Sequence, residues 1–133
     1  MDDAKQAFPA AIHKWHDVAQ SGDPLQLDVL LAPDVVFESP VVHTPQRGKA
    51  ITAKYLSAAI SVLGGAEFRY VAHWIGPKSA VLEFVTVVDG IEINGVDIIS
   101  WNADAQIDRF KVMVRPLKAI QTLHQKMAAA LTR

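Results

Sequence analysis

Apolar residues at Phe8, Ile12, Trp15 and Ala19 recur every three to four positions, with Lys14 and Asp17 between them, which is the period of an amphipathic helix. Gly22 and Asp23 end it. Asp23 then caps a second short helix, with Pro24 in its first turn, Leu27, Leu30 and Leu31 facing inward and Pro33 as its stop. Val35–Phe37 is β-branched and aromatic and reads as a strand halted by Pro40, followed by a proline-containing loop through Pro45 to Gly48. Ala50–Leu63 forms a third helix, packed through Ile51, Tyr55, Ala59 and Val62, with Gly64–Gly65 beyond its end. Four strands follow, Phe68–Ile75, Ala80–Val88, Gly95–Trp101 and Ile107–Val114, punctuated by Gly76–Pro77, Asp89–Gly90 and a turn over 102–104. Asn94–Gly95 reads as a bulge, because Asp89–Gly90 already reverses the chain. Pro116 opens a last helix, with Leu117, Ile120, Leu123, Met127 and Leu131 on its packed side.

Helices gathered on a mostly antiparallel sheet make this an α+β domain, and no linker or repeat divides residues 1–133. The strand Ala80–Val88 carries Leu82, Phe84 and Thr86 on one face and Val81, Val85 and Val87, with Glu83, on the other. Two apolar faces need two covers. The helices supply one, and a second copy of the chain, in a homodimer through the outer sheet face, is the simplest source of the other.

Composition narrows the function classes. The 133 residues are half apolar and one-fifth charged, with a formal net charge of -1, so the basic excess that nucleic acid or an anionic membrane demands is missing. Without cysteine there is no disulfide, thiolate nucleophile or cysteine-ligated zinc. The stretch MDDAKQAFPAAIHKWHDVAQ is charged where a secretory leader is apolar, and no run approaches the ~18 apolar residues of a membrane span, so a cytoplasmic location is expected. His13 and His16 lie one helical turn apart, yet no third ligand has recognisable spacing. No phosphate loop, GxSxG or glycine-rich dinucleotide turn occurs. Neither a metal nor a cofactor is expected.

The Gly22–Asp23 pair, LLAPDVVFESPVV (30–42), Gly48 opening the third helix, GVDIISWNADAQI (95–107) and VMVRPL (112–117) occur in the order and spacing of a known fold. With these segments the chain resembles the nuclear-transport-factor-like superfamily, which includes ketosteroid isomerases and the SnoaL-like polyketide cyclases. The resemblance implies a cone: a curved, mostly antiparallel sheet wrapped around N-terminal helices and closed by a C-terminal helix over an apolar pocket. Ketosteroid isomerases use a helix tyrosine, an aspartate base before a proline and a protonated aspartic acid on a later strand. Those positions fall on Trp15, on Ser39 before Pro40, and on Asp97, so only the acid is retained.

Strand alternation independently places Asp97 on the same face as Ile99 and Trp101, an apolar setting that raises a carboxyl pKa and makes a neutral hydrogen-bond donor available to a developing oxyanion. A carboxylate held by local backbone groups is the plain alternative. His43, in the proline-bounded loop, is a candidate replacement base, although loop histidines are ordinarily solvated. Trp15, Ser39, Tyr55, Leu82, Phe84, Thr86, Ile99, Trp101, Phe110 and Val112 make up the expected pocket wall, against the alternative of plain core packing. Glu38 alternates to the outer face as a surface or interface charge, and Arg115–Pro116 ends the last strand structurally. The faces of Tyr70, His73 and Trp74 are not fixed by parity.

Three readings follow. The first is an isomerase, dehydratase or cyclase acting by proton transfer on a small cyclic carbonyl compound. The second is a non-catalytic protein that binds such a hydrophobic molecule. The third is a dimeric interaction module, which requires a filled cone.

Overall fold

The structure is a computed structural model and describes residues 8–132. The reading of the N-terminal stretch as too charged for a secretory leader falls partly on residues 1–7, outside that range. Helix α1 (Ala10–Ser21) buries Ala11, Ile12, Trp15 and Val18 and ends where Gly22 takes a left-handed φ of 67°. Helix α2 (Pro24–Leu30) begins where Asp23 Oδ1 accepts a hydrogen bond from Leu25 N at 2.9 Å. It stops three residues before Pro33. Leu31 already opens strand β1 (Leu31–Glu38), and Pro33 sits exposed within it. Ladder pairing of Leu31 with Ile107 overrides the helical phase that grouped Leu31 with Leu27 and Leu30.

Strand β2 (Gln46–Arg47) and helix α3 (Lys49–Leu63) come next, then β3 (Arg69–Ile75), β4 (Ser79–Val88), β5 (Ile91–Trp101), β6 (Ile107–Arg115) and helix α4 (Leu117–Leu131). The six strands form one curved, unclosed sheet in the order β2-β1-β6-β5-β4-β3, antiparallel except for the β1·β6 pair. Asp89 (φ 51°) and Gly90 (φ 76°) make the two-residue reversal between β4 and β5, the backbone pair such a hairpin requires.

At three places the structure departs from the pattern expected of the sequence. No bulge occurs at Asn94–Gly95: β5 runs from Ile91 in unbroken register with β4, and Gly95 pairs with Phe84 and Val114. The glycine answers a close approach instead. A Cβ there would stand 2.6 Å from Phe84 Cζ and 2.7 Å from the Met113 carbonyl oxygen. Helix α3 buries Thr52, Leu56, Ala58 and Leu63, rotated from the expected Ile51, Tyr55, Ala59 and Val62, which are only half-buried. Leu117 is 69% exposed and contributes nothing to the packed side of α4, where Ala119 and Leu123 are buried.

The core lies between the helices and the inner sheet face, with Leu82, Phe84, Ile93, Ile99, Ile107 and Phe110 at its centre. Thr86 Oγ1 donates to Leu63 O at 3.1 Å and ties the end of α3 to β4. On the outer face Val81, Val85, Val96 and Ile98 are half-buried, whereas Met113 and Trp74 are 55% and 57% exposed. Among the described residues no helix is long and apolar enough to cross a membrane.

Candidate functional site

A cavity of about 210 Å³ lies beneath the helices, enclosed by the inner sheet face, α1, α3, α4 and the segment Ser39–Val42. Its exposed members, among them Val42 and His124, mark where it opens to solvent. Of the expected wall, Trp15, Ser39, Tyr55, Phe84, Phe110 and Val112 line it. Leu82, Thr86, Ile99 and Trp101 do not; they are buried in the surrounding core.

Asp97 is 6% exposed and lines this cavity from β5. Its cross-strand neighbours are Leu82 on β4 and Val112 on β6, so the carboxyl emerges between apolar side chains. The polar contact it does have comes from β3: Tyr70 Oη donates to Asp97 Oδ2 at 2.6 Å, and Trp15 Nε1 donates to Tyr70 Oη at 2.9 Å. Burial raises the Asp97 pKa from 3.8 to about 7, against the opposing effect of the Tyr70 hydrogen bond. The Tyr70 phenol is pushed well above its ordinary value, first by burial and then by the neighbouring Asp97 charge. Near neutrality the carboxyl therefore exists in both forms. It can donate a proton or accept one, in a wall otherwise almost wholly apolar.

Tyr70 is the residue that sequence reasoning left unplaced, and its orientation has a specific cause. Counting from Ile75 paired with Ala80, His73 meets Leu82 and Ala72 meets Glu83, which would turn Tyr70 outward. The register shifts between Tyr70 and Ala72, leaving Val71 as an extra residue, so Tyr70 pairs with Phe84 and faces inward together with His73. Trp74 pairs with Val81 and faces out. His16, His73 and Phe68 pack around the Tyr70 ring, with centroids 5.4, 5.9 and 5.1 Å away. His73, whose Nε2 is buried without a hydrogen-bond partner, has its pKa lowered by burial.

Ser39, expected in the wall, and His43, the candidate base, share the β1–β2 loop but are placed differently. Ser39 Oγ reaches the wall but accepts hydrogen bonds from Val41 N at 3.0 Å and Val42 N at 3.3 Å, which commits it to shaping the loop. His43 is exposed and outside the wall. The histidine that does line the cavity is His124 of α4, which no motif or spacing in the sequence singles out. Glu38 pairs on the outer face with Arg109 at 2.7 Å, and that hydrogen bond holds its pKa below the usual carboxylate value. Arg115 Nε donates to Asn94 Oδ1 at 2.8 Å, bridging β6 to β5 away from the cavity. Among the described residues no cluster of histidine and carboxylate side chains could hold a metal.

The pattern of the SnoaL-like domain matches residues 12–110, from the first turn of α1 to the first half of β6, and therefore most of the wall. The chain belongs to the SnoaL-like family. Among solved structures, a steroid delta-isomerase from Pseudomonas aeruginosa is 34% identical, over 92% of this chain and 90% of that one, with a TM-score of 0.87. A protein with a cystatin-like fold from Silicibacter pomeroyi is 31% identical over 93% of this chain and 86% of that one, with a TM-score of 0.85. No curated protein matches the chain. The SnoaL-like match takes in the first three helices and the sheet as far as the start of β6, and α4 lies beyond it.

Proposed function

We propose that the protein binds a one- or two-ring apolar molecule and acts on it by proton transfer, as an isomerase, dehydratase or cyclase of a cyclic carbonyl compound. The observation that carries this reading is the Asp97 carboxyl, hydrogen-bonded to Tyr70 and set in an apolar cavity wall. A neutral carboxylic acid there donates to a carbonyl oxygen and strengthens that bond as the oxygen becomes an enolate. The size of the ligand follows from the cavity: about 210 Å³ is below the ~300–1,000 Å³ that holds drug-sized ligands. Likeness to a steroid delta-isomerase supports the reaction class, and the small volume argues for a substrate smaller than a steroid. His124 is the wall residue suited to remove the carbon-bound proton, the role that neither Ser39 nor His43 is placed to fill.

The test is conversion of a β,γ-unsaturated cyclic ketone to its conjugated isomer, followed by ultraviolet absorbance. Turnover that falls at least tenfold in Asp97→Asn and in His124→Gln supports the enzyme. Ketone binding without turnover in the wild type replaces it with the non-catalytic ligand-binding reading, which the absence of an aspartate at position 39 favours. We further propose a cytoplasmic homodimer joined through the outer sheet face, on the strength of its valines, Ile98, Met113 and Trp74.

A further inference from the structure

We infer that the cavity also accepts small apolar amines in their ammonium form, the cation pairing with Asp97 and facing the aromatic rings of the wall. The inference rests on the reading of the cavity as a ligand site.

Tyr70 satisfies Oδ2, and among the described residues no hydrogen bond reaches Oδ1 and no lysine or arginine pairs with the group. Nor, among the described residues, does a lysine or arginine line the cavity. An ionised carboxylate buried without a counter-ion is costly, and a ligand that brings the cation removes that cost. The rings of Trp15, Phe37, Tyr55, Phe84 and Phe110 surround the same space, and aromatic faces attract a desolvated cation. An alkylated ammonium suits both features, because its alkyl groups fill apolar space and its single N–H donates to Oδ1.

The groups that can titrate around Asp97 are few. Tyr70 on β3 bonds it directly, with His16 of α1 and His73 of β3 against the Tyr70 ring. Tyr55 of α3 and His124 of α4 line other parts of the cavity. The facing strands β4 and β6 present Leu82 and Val112. Binding an ammonium to the protonated acid thus expels one proton from Asp97 to the buffer and leaves a carboxylate–ammonium pair, whereas a ketone binds with that proton retained.

N,N-dimethylcyclohexylamine and cyclohexyl methyl ketone are close in shape and differ in this one respect. Isothermal calorimetry of the full chain with each probe, at pH 5.5 and 8.5, separates them. With Asp97 titrating at about 7, the amine is expected to tighten about thirtyfold between the two pH values, while the ketone weakens. At pH 5.5 the heat of amine binding should vary with the ionisation enthalpy of the buffer, as release of a proton requires. Asp97→Asn should lose the pH dependence of both affinities, since no proton is then left to release or retain. If that variant does not fold, the proton release of the wild type decides alone. An amine affinity that is flat with pH, with no proton released, overturns the inference. Ketone binding without amine binding removes this inference and leaves the proposed function standing, whereas failure of both probes removes both.

Discussion

Substituting Asp97 by asparagine should change how stability depends on pH, and the structure gives the size of the change. In the unfolded chain this carboxyl titrates at its ordinary 3.8, and in the folded protein burial moves it to about 7. Between those values the folded state holds a proton that the unfolded state has released, so stability falls as pH rises. The contribution is fully present below pH 3.8 and gone above about pH 7. Integrated from pH 5 to pH 8, the group costs the wild type about 2.5 kcal/mol. Asparagine keeps the shape and still accepts from Tyr70 Oη through its amide oxygen, so the variant lacks this slope. Urea unfolding of both proteins at pH 5, 6, 7 and 8, analysed by linear extrapolation, measures the difference. The gap between wild type and variant should shift toward the variant by about 2.5 kcal/mol over that range, with most of the shift below pH 7. A gap that does not move by more than about 0.5 kcal/mol would mean that Asp97 is not desolvated in the folded state. The proposed donor chemistry would fall with it.

Tyr70→Phe removes the acceptor of the buried Trp15 N–H along with the donor to Asp97, and should cost about 1–3 kcal/mol in urea unfolding. The same variant should bind the ketone probe more tightly than wild type at pH 8, because losing that hydrogen bond raises the Asp97 pKa further. Gly95→Ala must displace Phe84 or the Met113 carbonyl, and a destabilisation of at least about 1–3 kcal/mol is expected; an unchanged urea midpoint would contradict the close approach. Asp23→Ala should lower stability by about 1 kcal/mol through loss of the α2 cap. Light scattering at micromolar protein should give twice the 14.5 kDa chain mass, and Met113→Asp should return it to the monomer value.

Periodicity located each described helix and part or all of each long strand because burial and period are the same information where an element has one wet side. Asp97, Ile99 and Trp101 shared an inner face as alternation required, and Asp23 capped α2 as its residue type suggests. What could not be read has local causes. Leu31 sits at a helix end where strand pairing with a segment far along the chain decides its state. Gly95 follows Asn94 and looks like a turn, yet the requirement there is space for a phenylalanine on the neighbouring strand. Tyr70 escaped parity because one unpaired residue, Val71, inverts every side chain before it. The distinction between His43 and His124 depends on how a loop and a helix meet the cavity in three dimensions, which no spacing rule contains.

The parallel pairing of β1 with β6 has a consequence for how the chain is made. Glu38 and Arg109, bonded across that seam, stand 71 residues apart in sequence. A ribosome releasing the chain from its N-terminus exposes β1, with buried Val35 and Phe37, long before its neighbour has been synthesised. The first half of the molecule must wait with an open flank, and contacts of such span slow closure. Nascent chains halted before β6 should be protease-sensitive throughout, and protection should arrive in one step once Arg115 has cleared the exit tunnel.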